Sequence, residues 1–220
     1  MKEIIRPFEN SLFDSNVKDI GIDMLEFGID SILQEGLLKD FPLVGNIAKA
    51  GQFVYNLYDR NLLRQTLVFI QQFNNNAIDS EKLECYRESI KNNFKKAEKE
   101  LGRVLIILNK IIDSEKSVIL AKLYSAYINQ NITWKEFCEF SEINERLFIN
   151  DIYVALEIFT GGMNVDKEKI HNFLRLVSIG LLKNDSRFDS DKCGTGLIVS
   201  DPIDEVELTK LGERFCGLIK

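Results

Sequence analysis

Apolar residues return every three or four positions along most of this chain, the period of amphipathic helices. Residues 1–15 lack a long run of this kind and are expected to form an arm. Val17, Ile20, Met24, Phe27 and Leu38, with Ile29, Ile32 and Leu33 between them, predict a helix over 16–38. Asp40-Phe41-Pro42 restarts the chain, since Asp caps a helix and Pro suits its first turn. The helix that follows holds Gly45, Ala48, Ala50 and Gly51, small residues that let a second backbone come close. Asp59-Arg60 marks a charged break or a solvated turn. Leu62, Leu63, Thr66, Leu67, Phe69, Ile70 and Phe73 form the next helix, stopped by Asn74-Asn75-Asn76. Asp79-Ser80-Glu81 opens another with a cap and first-turn acid. It is expected to run unbroken past Gly102 to about Ile112, charged in its first half and buried over Val104–Leu108. Ser114-Glu115-Lys116-Ser117 starts a helix with Val118, Leu120, Leu123 and Tyr124 inward. Thr133-Trp134-Lys135-Glu136 fits a capping box, in which the Thr side chain takes the third amide and the Glu reaches back. Phe137, Cys138 and Phe140 follow it. Leu147, Ile149, Ile152, Tyr153, Leu156 and Ile158 continue as helix to Gly161-Gly162, the sharpest break in the chain.

The pattern changes in the last seventy residues. Asp166 can cap a helix running through Ile170, Phe173, Leu174 and Val177 to Ile179, with Leu174, Val177 and Leu181 packed on one side. Gly180 suits its C-terminus because it tolerates positive φ. Leu197-Ile198-Val199-Ser200 and Val206-Glu207-Leu208 alternate as strands should. Asp201-Pro202 supplies the turn, and Thr209 to Phe215 returns to helix. This order of helix, loop, strand, turn, strand and helix resembles a winged helix. The expected fold is therefore mainly α: an N-terminal helical bundle over 1–145, then a small winged-helix-like α+β module over 146–220.

In DNA-binding winged helices the second helix of the helix-turn-helix pair enters the major groove with cationic and polar side chains. Here that helix carries Lys167, Lys169, His171 and Arg175, mixed with Asp166 and Glu168. The wing carries Asp201, Asp204, Glu205 and Glu207, which repel phosphate. The whole chain has a net charge of −6, and binding to nucleic acid is driven by neutralising phosphates. Both facts favour protein contact over DNA reading. A second cationic run, Lys91, Lys95, Lys99 and Arg103, falls at helical spacing and is expected to share one face. It is the other candidate partner surface.

Catalytic signatures are missing. His171 is the single histidine and has no nucleophile elbow near it in sequence. No phosphate-binding glycine loop and no H-E-x-x-H occurs. Asp189, Asp191 and Gly194 sit where a calcium loop would begin, but Cys193 and Ser200 replace two of its ligands, the bidentate Glu among them. No metal and no cofactor is expected. Cys85, Cys138, Cys193 and Cys216 are too widely spaced for a zinc knuckle and read as reduced, mostly buried thiols of a cytoplasmic protein. The N-terminus lacks the apolar core of a signal peptide, and no uncharged apolar run is long enough for a conventional membrane span. Phe41 to Tyr58 comes nearest. It supports an alternative reading as a membrane-active effector.

The segments Glu35-Gly36-Leu37-Leu38-Lys39-Asp40-Phe41-Pro42-Leu43-Val44-Gly45, Tyr58-Asp59-Arg60-Asn61-Leu62-Leu63 and Leu120-Ala121-Lys122-Leu123-Tyr124 resemble a group of uncharacterised bacterial and phage-associated helical proteins. That resemblance implies a phage-defence or mobile-element setting and no catalytic chemistry. The sequence thus points to a non-enzymatic, protein-binding regulator or adaptor, or a self-associating one. The membrane effector and a DNA-binding regulator are its alternatives.

Overall fold

The computed structural model describes residues 2–14, 57–161, 169–184 and 206–220. The expected helix over 16–38, residues 41–56 of the segment after it, Lys167, Cys193, the acidic loop, the Leu197–Ser200 strand and the Asp201-Pro202 turn lie outside them. The protein is mainly helical, with one small sheet among the described residues. Contacts divide the chain into two compact units, Met1–Glu145 and Arg146–Lys220.

The first unit holds α1 (Lys2–Leu12), α2 (Leu57–Asn75), α3 (Ser80–Asn92), α4 (Phe94–Lys110), α5 (Ser114–Ile128) and α6 (Trp134–Arg146, which ends at the unit boundary). The expected N-terminal arm is a helix instead. Ile5, Phe8 and Leu12 recur at helical spacing and are fully buried. A helix of this length is marginal alone, and Pro7 removes one of its donors. Packing of α1 on α2 and α4 supplies its stability, which local sequence cannot reveal. Asp59 and Arg60 do not break the chain but lie in the first turn of α2.

The long helix expected over 79–112 is two helices. Asn93 leaves helical geometry, at φ −131° and ψ 91°, and its side chain accepts the Lys96 N–H at 3.1 Å. An Asn side chain can replace a helical backbone acceptor in this way, so it ends α3 and caps α4. Asp79 caps α3 through the Glu81 and Lys82 amides. The Thr133–Glu136 capping box forms in full: Glu136 accepts the Thr133 N–H at 2.7 Å and donates its own N–H to Thr133 Oγ1 at 3.3 Å. Val104, Leu105, Ile107 and Leu108 are buried as the pattern requires, but Ile106 faces outward. At the centre Tyr124 is enclosed by the rings of Phe69, Phe73, Tyr86, Tyr127 and Phe137.

The second unit contains α7 (Ile149–Phe159), α8 (Ile170–Ser178), β1 (Leu182–Asn184), β2 (Val206–Leu208) and α9 (Lys210–Ile219). β2 falls where alternation puts it. Its described partner is Leu182–Asn184, antiparallel with Leu182 opposite Leu208, in residues assigned to a helix end and loop by pattern. Gly180 ends α8 at φ +82°. Leu181 N–H bonds Leu176 O and Gly180 N–H bonds Val177 O, the paired bonds of a Schellman stop. Leu174 and Val177 do not pack inward as expected. Phe173, Leu176 and Leu181 fill the core, while Leu174 is 55% exposed and Val177 37%. α8 packs on α7 and β1, and α9 on α7 and β2.

Thr209 locks the end of α8 to the start of α9. Its Oγ1 donates to Gly180 O at 2.7 Å and accepts the Gly212 N–H at 3.0 Å. Gly212 is required by this close approach, because a Cβ there would lie 2.2 Å from Leu181 O. Leu181 O is a backbone atom, so backbone must shift. Gly212→Ala is expected to cost about 2 kcal/mol, within the range for overpacking. Loss of hydrogen-exchange protection in α9 measures it, and an unchanged α9 would show that the joint yields freely.

Candidate partner-binding surface

The cationic residues of α8 are already engaged within the unit. Asp151, one turn into α7, is completely buried. It accepts Arg175 Nε at 2.9 Å and Arg175 Nη2 at 2.7 Å, a two-pronged clasp. It also accepts Asn172 Nδ2 at 2.7 Å and the Phe148 N–H at 3.1 Å. The last bond caps the N-terminus of α7 from its third residue. One carboxylate therefore starts α7 and binds α8 to it. These hydrogen bonds hold the Arg175 guanidinium above its ordinary pKa. Lys169 Nζ meets Glu157 Oε2 at 2.8 Å, a second tie between the same helices.

What α8 turns outward differs from what its charges suggest. His171, Leu174, Arg175 and Ser178 follow at i, i+3, i+4 and i+7 and so share one face. His171, Leu174 and Ser178 are exposed, with Val177 at the margin. Phe148, 64% exposed, places its ring 4.9 Å from the Arg175 guanidinium carbon. On the neighbouring strands Lys183 and Glu207 pair at 2.8 Å.

The break at Asn93 dismantles the other candidate face. Lys91 belongs to the last turn of α3, where Glu88 stands 3.8 Å away. Lys95, Lys99 and Arg103 remain in register along α4. Arg103 meets Glu142 of α6 at 2.6 Å, and Lys110 meets Glu145 at 2.8 Å. Lys99 lies over the Trp134 ring. Lys95 is exposed. The stripe is therefore partly neutralised by acidic residues of α6, a poor design for a polyanion.

Sequence reasoning missed Asp151 and Phe148. The available signal was the acid at the third position of α7, together with Asn172 and Arg175 one turn apart on α8. The pattern puts Leu174 and Val177 on the wrong side, because a two-sided apolar helix hides which stripe is core.

Cys216 is buried, and burial pushes its thiol up to about 12. Burial also raises Cys138, with Arg103 opposing. Cys85 is exposed, contrary to the expected burial. Among the described residues no group of His, Cys, Asp and Glu could hold a metal ion, and no helix is long and apolar enough to cross a membrane. No protein-family model matches the chain, and neither a curated protein nor a solved structure matches it.

Proposed function

We propose that this is a non-enzymatic macromolecule-binding protein, a regulator or adaptor that contacts another protein through its C-terminal unit in a bacterial or phage-conflict setting. That unit reads as a winged-helix-like module turned to protein contact. The order α8, β1, β2, α9, with β1 and β2 antiparallel, supports the shape. The observation that carries the use is the state of α8. Its cations Lys169 and Arg175 are closed onto Glu157 and Asp151, while Leu174 and Val177 face out. A helix that reads DNA needs the reverse, with cations outward and available to phosphates.

A photo-reactive cross-linker at Ser178 tests the reading in the native host. The expected product is a discrete protein adduct. Nucleic-acid adducts would overturn it in favour of the DNA-binding alternative. So would tight binding of a mixed-sequence duplex at low salt that is lost in Lys169→Ala and Arg175→Ala.

A further inference from the structure

In the first unit α3 is held to its neighbours by little buried surface. Of its thirteen residues only Tyr86 and Ile90 are buried, against eight of seventeen in α4 and ten of fifteen in α5. A helix with few buried contacts opens at a lower free energy than the core around it. Both ends of α3 leave helical geometry, Asp79 at ψ 126° before it and Asn93 at φ −131° and ψ 91° after it. It can therefore lift without unwinding α4. Its ties to the end of α5 lie at or near the surface. Asn129 Oδ1 accepts the Asp79 N–H at 3.0 Å, and Lys82 Nζ donates to Asn129 O at 2.7 Å. Water can replace such bonds at small net cost.

The buried polar tie is Tyr86. Its ring meets those of Phe13, Tyr124 and Tyr127. Its hydroxyl donates to Glu100 Oε2 at 2.8 Å and shares a hydrogen bond with the Tyr124 hydroxyl. Glu100 is only 5% exposed, and its other oxygen accepts from Tyr127 at 3.2 Å. Both donors are neutral phenols. A carboxylate buried on neutral donors keeps much of its desolvation cost. We propose that α3 is a hinged cover over this carboxylate, latched by the Tyr86 hydroxyl, and that it opens while α2, α4 and α5 stay folded. Closed, it seals Glu100 and the hydroxyl of Tyr124. Open, it lets water reach both, and hydration of Glu100 offsets part of the loss of the latch. The cover lies in the first unit and works whatever the second unit binds.

Hydrogen exchange of the α3 amides in the full chain, followed by NMR across sub-denaturing urea, tests the cover. These amides are expected to exchange at least about a hundredfold faster than the slowest of α4 and α5. Their urea dependence should be less than about half as steep, because one helix exposes less surface than the whole unit. Tyr86→Phe keeps the ring and removes the latch, so α3 exchange should rise about tenfold, the weight of a hydrogen bond to a charged group. Ser117→Ala acts elsewhere. It removes the bond from Ser117 Oγ to Gln65 Oε1 at 2.7 Å, which ties α5 to α2. It should speed the slowest α5 amides about fivefold and leave α3 exchange within about twofold of the parent chain. Equal urea slopes for α3 and α5 overturn the proposal, since α3 then opens only with the whole unit. So does an α3 that speeds up as much as α5 in Ser117→Ala. An α3 rate unmoved by Tyr86→Phe overturns the latch.

Discussion

Tyr124→Ala is expected to lower the stability of the N-terminal unit by about 4 kcal/mol in urea titration, as for other buried aromatic truncations. Tyr124 has no exposed surface and its ring centroid lies 5.3 Å from that of Phe137 and 5.9 Å from that of Phe69. With Tyr86 of α3 edge-on to Tyr124, these rings come from α2, α3, α5 and α6, so the cavity would open where four helices meet. Tyr124→Phe separates ring from hydroxyl. The Tyr124 hydroxyl shares a short hydrogen bond with Tyr86, and Tyr86 donates to Glu100 Oε2 at 2.8 Å whether or not Tyr124 keeps its oxygen. Removing that one hydroxyl should cost about 1 kcal/mol. A Phe variant as damaged as the Ala variant would show that the polar network, not ring packing, holds this core.

The same cluster predicts alkaline instability. Burial is the largest cause that lifts Tyr86 and Tyr124 well above their ordinary value near 10, with the Glu100 charge adding to it. Tyr127 is raised for the same reasons. The folded state holds these protons more tightly than the unfolded state. Their contribution is therefore complete below about pH 10 and is lost as pH climbs from there towards the folded values. Unfolding followed by tyrosinate absorbance should begin above pH 10, and the slope should flatten in the Tyr86→Phe and Tyr124→Phe double variant.

Much of the N-terminal unit is legible because its signals are local. The Thr133–Glu136 box, the Asp79 cap and the Phe69–Phe73 stripe each lie within a turn or two of chain. The failures share a different character. α1 is stable only through burial of Ile5, Phe8 and Leu12 on distant helices, which the sequence around it does not encode. Asn93 stands in a run that otherwise continues as helix, and its side chain's competition for the Lys96 amide decides the outcome. In the second unit the Gly180 stop is a local requirement and was readable. Pairing of Leu182 with Leu208 joins positions far apart in the sequence and was not. Charge pattern alone misleads in one respect: Lys169 and Arg175 look like available surface, but the carboxylates that bind them sit on another helix. Only the fold brings Glu157 and Asp151 within reach.

Asp151→Ala is expected to release α8 at a cost of about 3 kcal/mol, the scale of breaking a buried ion pair. The carboxylate accepts four donors, and the Phe148 N–H and Asn172 side chain would be left with water or nothing. Arg175→Ala should cost as much, about 3 kcal/mol, because it leaves the fully buried Asp151 carboxylate with two neutral donors and no counter-charge. Hydrogen exchange of the α8 amides is the direct measurement. The double variant supplies the coupling. A coupling below about 0.5 kcal/mol would make the clasp no stronger than an ordinary surface pair. Asp151→Asn carries the argument to function. It keeps the side chain's shape and removes its charge, leaving the Arg175 guanidinium uncompensated on an exposed face. At low salt that variant should retain duplex DNA more than the parent chain, with the gain disappearing as salt rises, since it comes from about one added phosphate contact. If the parent and Asp151→Asn chains bind duplex equally, internal neutralisation is not what keeps α8 from nucleic acid.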